Sequence, residues 1–477
     1  MRDVVVVGSG MATTRLVEGL VARGVAARDR VTVRGDEPHA PYNRILLSAV
    51  LEGTHRPEAL TLRSPAWYAD HGVDLRLGAR VLDVDRERRE VVLVDGTRVD
   101  YDVLVLATGS IPSLPPIRGL VRMDGTLHPA VHAFRSLDDC LRLDAAVGGG
   151  PDRLVEEVAQ RPSRDLRAVV VGGGLLGLQV ARALAVRGLA VEVVEGGEHL
   201  LRSQVGPQAG RIIARDLERL GTAVYTGARA VRLTDEGLRL DNGYVLSADL
   251  VVLTAGGRPA TALARRAGLA VRRGVVVDDR LTTSDPRVHA LGDCAEHDGR
   301  VTGFVPPAWE QAQVLADHLA GDEVRYPGAR TVARLRATDL DVAVLGDPET
   351  EPGEVVEVSN PVVGSHRKLV VRDGVVVAAA LVGDLSRIGL ITQHYDRATV
   401  LGPTEPGRLL MAERTLRPTV LPDDAEVCVC AGVTAGAVRG CRSLEQVRED
   451  TRATTGCGGC AEAVRGLLAT RPALSST

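Results

Sequence analysis

Four cysteines toward the end of the chain carry the most specific chemistry in this sequence. Cys428-Val429-Cys430 is separated by residues 431–456 from Cys457-Gly458-Gly459-Cys460. Four thiolates on two tight loops can wrap one metal centre, and the glycines at 458 and 459 let the second loop curl and offer N–H groups to sulfur. A zinc site held by four thiolates would be structural, whereas a [2Fe-2S] cluster would carry one electron at a time. The C-x-C spacing is unusual for zinc ribbons, which place two to four residues between ligands, so iron–sulfur is favoured and zinc is the alternative. Cys441 has no partner at ligand spacing, and Cys140 and Cys294 read as buried small hydrophobes. Close cysteine pairs of this kind point to metal in a reducing cytoplasm more than to disulfides.

The second chemical signal is a glycine motif that occurs twice. Asp3 and the four valines Val4, Val5, Val6 and Val7 lead into Gly8-Ser9-Gly10-Met11-Ala12-Thr13 and a helix-like run. Ala168-Val169-Val170-Val171 leads into Gly172-Gly173-Gly174-Leu175-Leu176-Gly177 and a second such run. A β-branched run suits a strand buried on both faces of a parallel sheet. The first glycine allows the tight turn, and the second lets backbone approach a pyrophosphate at a helix N-terminus. With 52 glycines in 477 residues, chance alone supplies roughly 0.6 such patterns. The flanking strand, helix and terminal acid, found twice, are what give the pattern weight. Thr13 stands where the first motif would have its third glycine. Asp36-Glu37 follows the strand around Val31-Thr32-Val33, and Glu195 ends the strand 191–195, each where a carboxylate would meet a ribose hydroxyl. An acid at 195 favours NAD over NADP, with Arg202 nearby in sequence as the group that could reverse this.

The elements that must position these residues follow in order. Residues 73–106 read as a small antiparallel meander, and residues 101–110 as a strand entering a glycine turn that returns the chain to the first sheet. A polar segment, 148–165, marks a boundary. Residues 248–259 mirror 101–112. A strand at 288–291 ends in Gly292-Asp293, placing a carboxylate at the C-terminal edge of a sheet, where ligands of such sheets bind. A helix around 307–312 would aim its positive end at that site. Residues 330–405 read as a small α+β domain without a catalytic constellation, with His366 and His394 structural or exposed. The expected fold is α/β, with two Rossmann-like dinucleotide-binding domains, a small α+β domain and a small cluster domain. The expected divisions are 1–147 with 258–328 for the first nucleotide domain, 148–257 for the second, 329–410 and 420–470.

Composition excludes several classes. The net charge of −4 and the lack of a basic cluster give no case for nucleic acid. No apolar run approaches the ~20 residues of a membrane span, and the N-terminus passes directly into a strand without a signal-peptide pattern. A cytoplasmic setting is expected. Residues 36–51 contain no cysteine, which disfavours a dithiol–disulfide reductase and a single-cysteine peroxidase.

The chain resembles a known family. Residues 1–330 look like the two-dinucleotide-domain flavoprotein reductases. Pro41-Tyr42-Asn43-Arg44-Ile45-Leu46-Leu47-Ser48, with Gly35-Asp36-Glu37-Pro38 before it, resembles the flavin half of NADH-dependent assimilatory nitrite reductases and the electron-transfer subunits of assimilatory nitrate reductases. Residues 427–465, with Thr455-Gly456-Cys457-Gly458-Gly459-Cys460, resemble the bacterioferritin-associated ferredoxin type of [2Fe-2S] domain. The resemblance implies FAD contacts at Gly8, Gly10, Met11, Asp36, Arg44, Thr108, Gly109 and Asp293. It implies NAD contacts at Gly172, Gly174, Gly177 and Glu195, and cluster ligands at Cys428, Cys430, Cys457 and Cys460. The sequence ends soon after the cluster domain, without the sirohaem region of full nitrite reductases, so reduction of nitrite by the chain alone is not expected. The expected activity is electron transfer from NADH through FAD and a cluster on a mobile module to a separate nitrate or nitrite reductase. Cofactors carry that chemistry, and no catalytic side chain is required. The alternatives are a reductase serving a rubredoxin, ferredoxin or oxygenase, an iron-handling partner of a ferritin, and a zinc-stabilised flavoprotein.

Overall fold

The computed structural model describes residues 1–148, 166–337, 339–411, 421–428, 431–456 and 459–469. All of the expected boundary 148–165 except Gly148 lies outside the described residues. Two parallel five-stranded sheets form the frame. In the first, Asp3–Val7 is central, flanked by Arg30–Arg34 and Val103–Leu106, with Val73–Arg76 and Val288–Ala290 at the edges. Val4, Val5 and Val6 are buried, as a β-branched strand covered on both faces must be. In the second, Arg167–Val171 is central between Ala190–Glu195 and Leu250–Leu253, with Thr222–Thr226 and Val131–Ala133 outermost.

The meander expected over 73–106 is split. Val73–Arg76 pairs parallel with Arg30–Arg34 and completes the first sheet. Only Val81–Asp85, Glu90–Leu93 and Arg98–Asp100 form an antiparallel ribbon. The helix Pro65–Asp70, capped by the Ser64 hydroxyl, makes the connection a crossover, and a crossover delivers a parallel strand. Val73 and Leu75 then pack against the first core. The chain also enters the second sheet before residue 148, because Val131–Ala133 pairs with Val251–Leu253. Phe134, Leu137, Cys140 and Leu143 follow that strand into the core that holds Ala168 and Val170. Between the two folds, Ser110–Pro112 pairs antiparallel with Gly257–Pro259, so the mirrored segments meet as one two-stranded ribbon.

Residues 332–382 form a five-stranded antiparallel sheet, backed by helices Ile388–Arg397 and Glu405–Leu410. Its Leu335, Val342 and Val344 share the core of the second nucleotide fold. The last module pairs Glu426–Cys428 with Val433–Thr434 and adds helices Ala435–Gly440, Leu444–Thr451 and Ala461–Ala469 around its own small core. Among the described residues, no helix is long and apolar enough to cross a membrane.

Candidate nucleotide and cluster sites

Each glycine motif folds for a local reason. Gly8 has φ 110° and Gly172 φ 118°, a region closed to residues with a Cβ. A Cβ on Gly8 would lie 2.2 Å from the Ala107 carbonyl oxygen, and one on Gly172 would lie 2.7 Å from that of Thr254. These glycines bring the strand end against its neighbour. Gly10 and Gly174 differ: both have ordinary φ, and a Cβ there would meet nothing within 4 Å. They begin the helices Met11–Ala22 and Leu175–Val186, neither of which has a side-chain cap or an acid in its first turn. The leading N–H groups are therefore left for an anion, with the helix dipole behind them.

The third position shows why threonine is accommodated in the first motif. A Cβ on Gly177 would fall 1.9 Å from the Gly172 carbonyl oxygen. The Gly172 carbonyl accepts a hydrogen bond from the Thr254 hydroxyl at 3.2 Å, reaching over from the neighbouring strand. In the first motif the buried Thr13 hydroxyl donates to the Gly8 carbonyl at 2.8 Å. The same carbonyl is satisfied in both folds, once from the helix and once from the strand beside it.

Gly8, Gly10, Met11, Asp36, Arg44, Thr108, Gly109 and Asp293 all line one cavity of about 1320 Å³. Gly172, Gly174, Gly177 and Glu195 do not; they gather at the C-terminal edge of the second sheet. Leu175, Leu176 and Gln179 on the second motif's helix reach the cavity wall and connect the two sites. Asp36 is mostly exposed, 3.9 Å from Arg80. Its neighbour Glu37 is engaged, accepting from the Tyr42 hydroxyl at 2.6 Å and from the Arg44 guanidinium. The Arg44 guanidinium also lies over the Tyr42 ring, 4.9 Å from its centroid. The Tyr42 hydroxyl accepts from the Leu137 amide at 2.9 Å, and burial raises its phenol pKa far above the usual value.

Asp293 follows the strand Val288–Ala290 in a short 3-10 turn and accepts from the Ser110 hydroxyl and the Arg135 guanidinium, each at 2.7 Å. The Gly292 amide donates to Gln311 at 2.8 Å, tying that turn to the helix Val305–Ala320, whose first turn lines the cavity. Arg135 escaped the sequence reading. Its signal was the capping box that follows, Ser136 with Asp139, which fixes the start of Leu137–Ala146 and turns Arg135 toward the cavity. Cys140 and Cys294 are fully buried; their thiols donate to backbone carbonyls, and burial raises both pKa values.

In the second fold both Glu195 oxygens are placed by backbone. Oε2 accepts from Gly173 N–H and Oε1 from Gly197 N–H, both at 2.7 Å, with Arg202 Nε 3.6 Å from Oε1.

Of the four clustered cysteines, Cys430 and Cys457 lie outside the described residues. Cys428 and Cys460 are buried in one core, and the Thr454 amide donates to Cys460 Sγ at 3.1 Å. An N–H aimed at sulfur is the interaction that stabilises a ligating thiolate. Cys441 is buried in the same core, with its thiol 3.5 Å from the Ala437 carbonyl. Among the described residues, no three His, Cys, Asp or Glu side chains are grouped to hold a metal.

The open helix N-terminus before the cavity fits a dinucleotide, and the buried thiol pair with its N–H donor fits a cluster. Comparison with known proteins agrees. Residues 2–314 match the pyridine nucleotide-disulphide oxidoreductase family, and residues 426–470 match the BFD-like [2Fe-2S] binding domain. The chain is 33% identical to a nitrite reductase (NAD(P)H) of Bacillus subtilis (strain 168), over 98% of this chain and 57% of that one. It is 31% identical to the assimilatory nitrate reductase electron transfer subunit of the same organism, over 97% and 59%. It thus spans little more than half the length of these relatives. Among solved structures, the covalent putidaredoxin reductase–putidaredoxin complex superposes with a TM-score of 0.74 and 27% identity, covering 86% of this chain and 95% of that one. The cofactors are FAD, NAD(P)H and a [2Fe-2S] cluster, and the zinc alternative is set aside. Two nucleotide folds around one cavity, followed by a ferredoxin-like module, make this chain an oxidoreductase that belongs to the pyridine nucleotide-disulphide oxidoreductase family.

Proposed function

We propose that the chain takes electrons from NADH and delivers them, through FAD and the cluster, to a separate assimilatory nitrate or nitrite reductase in the cytoplasm. The observation that carries this reading is the joining of the two ends of the path. The cluster module rests on Asn43, whose side-chain amide donates to the Gly456 carbonyl at 2.7 Å, and the next residue, Arg44, lines the large cavity. Bound flavin supplies the change from a two-electron hydride to single electrons, and a cluster carries them one at a time.

The chain's own residues hold and orient. Gly10 and Met11 present open N–H groups to the FAD pyrophosphate, Gly8, whose own N–H donates to the Arg34 carbonyl, makes the turn that brings them there, and Asp36 takes its adenosine ribose. Asp293, held by Arg135 and Ser110, takes the ribityl chain. Arg44, Thr108 and Gly109 complete the wall. Gly174 does the same for NADH, with Gly172, its N–H bonded to the Val194 carbonyl, making the turn and Gly177 allowing the close approach of helix and strand, and the fixed Glu195 carboxylate accepts from the 2′-hydroxyl and repels a 2′-phosphate. Cys428, Cys430, Cys457 and Cys460 ligate the cluster. Residues 1–147 with 258–328, 148–257, 329–410 and 420–470 are the corresponding units, with Val131–Ala133 lending an edge strand to the second. The relatives named for nitrite and nitrate reduction support the acceptor class.

Anaerobic titration with NADH, followed by absorbance and electron spin resonance, tests the reading. Flavin bands bleach and a cluster signal appears. Cys460→Ser leaves the bleaching intact and stops electron delivery to a purified nitrate reductase catalytic subunit. Undiminished delivery by that variant would show that flavin donates directly to the acceptor.

A further inference from the structure

The C-terminal module is held to the first nucleotide fold by buried polar contacts. Asn43, 1% exposed, donates from its side-chain amide to the carbonyls of Thr455 and Gly456, immediately before Cys457. Arg452 leaves the end of helix Leu444–Thr451 in the left-handed region, φ 63°, and reaches across. Its guanidinium lies 2.5 Å from Glu18 Oε1 and 3.1 Å from the Leu62 carbonyl, and only a tenth of each charged side chain is exposed. Glu18 is itself braced by Arg63 at 2.8 Å.

These anchors stand directly behind the cavity. Asn43 faces the cluster loop, while its neighbour Arg44 lines the cavity. Leu62, whose carbonyl receives Arg452, packs in a thin apolar layer with Met11, Trp309, Ile45 and Val305. Met11, Ile45 and Val305 present their other side to the cavity. Among the described residues, these cross-contacts are polar. Such an interface can reopen, since both ions regain water on separation, whereas a large apolar face could not.

We propose that Asn43 and the Glu18–Arg452 pair form a latch that sets the cluster loop against the flavin-cavity wall, acting as positioning residues for electron entry into the module. This rests on the electron-transfer reading above. The latch makes the module's docked state the loading state. Its release frees the cluster face for an external acceptor.

The test uses the full-length, cofactor-loaded protein with Arg452→Gln, Glu18→Gln and the double variant. Hydrogen–deuterium exchange of residues 41–46 and 451–456 should speed up by about tenfold or more in each single variant, because each removes the charge-assisted bond between Glu18 and Arg452 that ties the module to the first fold. In stopped-flow mixing with NADH, flavin bleaching should keep its rate while cluster reduction slows by about tenfold or more. The double variant should be no worse than either single, as for two members of one pair. Should Arg452→Gln lose the cluster chromophore, Glu18→Gln, which alters only the flavin fold, decides the matter. Unchanged exchange in both single variants, or cluster reduction that keeps pace with bleaching, overturns the latch. Parent protein with neither flavin nor cluster bands would instead overturn the electron-transfer reading, while exchange would still report on the latch.

Discussion

Replacing Gly10 by alanine separates what that glycine does for the fold from what it does for a ligand. At Gly10, φ is −81° and a Cβ would meet no atom within 4 Å, so the protein accommodates alanine without strain. Lost N-cap preference and reduced unfolded-state entropy oppose each other, and stability should change by about 1 kcal/mol or less. The methyl instead fills the space in which a pyrophosphate meets the helix N-terminus. Loss of one charge-assisted N–H···O bond costs about 1.5–3 kcal/mol, a weakening of FAD binding by roughly ten- to a hundred-and-fifty-fold. Gly8→Ala is the contrast. Its φ of 110° and a Cβ 2.2 Å from the Ala107 carbonyl oxygen should destabilise the apoprotein by about 3 kcal/mol or more. Gly174→Ala should raise the KM for NADH and leave FAD binding alone. Urea unfolding of the apoprotein, flavin fluorescence quenching and initial rates measure the three quantities. If Gly10→Ala binds FAD as tightly as the parent, or loses affinity only in step with lost stability, the assignment of that helix end to the pyrophosphate fails.

Thr13→Val keeps the volume but leaves the Gly8 carbonyl without its hydroxyl donor, and should lower apoprotein stability by about 1–2 kcal/mol in urea. Glu195→Gln removes the charge but keeps the size. It should raise the KM for NADH about tenfold and narrow the preference over NADPH, with the flavin spectrum unchanged; an unaltered NADH-to-NADPH ratio would remove Glu195 from cofactor choice. His289 is buried in the strand leading to Asp293, and burial, with His318 beside it, pushes its pKa down to about 4. It stays neutral when folded while the unfolded chain takes up a proton below about pH 6.5. Its contribution is therefore complete above pH 6.5 and falls by about 1.4 kcal/mol per pH unit down to pH 4. Thermal unfolding of His289→Gln across that window should show a flatter pH dependence than the parent, and equal slopes would contradict this.

Short-range patterns made the two nucleotide folds readable before any coordinates. A valine run, a turn that tolerates only glycine and an acid at the next strand's end are local requirements of chain geometry and of a phosphate at a helix end. The cysteine spacing likewise named its chemistry, because a metal centre constrains ligands close in sequence. Which sheet a short strand joins was decided by tertiary packing. Val73–Arg76 carries only two apolar side chains, and the helix before it, not its composition, sent it to the first sheet. Val131–Ala133 was recruited to the second sheet by the apolar helix face that follows it. Arg135 gained its place beside Asp293 across 158 residues of sequence, a separation at which no spacing rule operates. The same holds for Asn43 and Glu18, whose partners lie 413 and 434 residues away. Motifs report what the backbone must do locally, whereas the meeting of the first fold and the cluster loop depends on polar groups brought together over more than 400 residues of sequence, which no single stretch encodes.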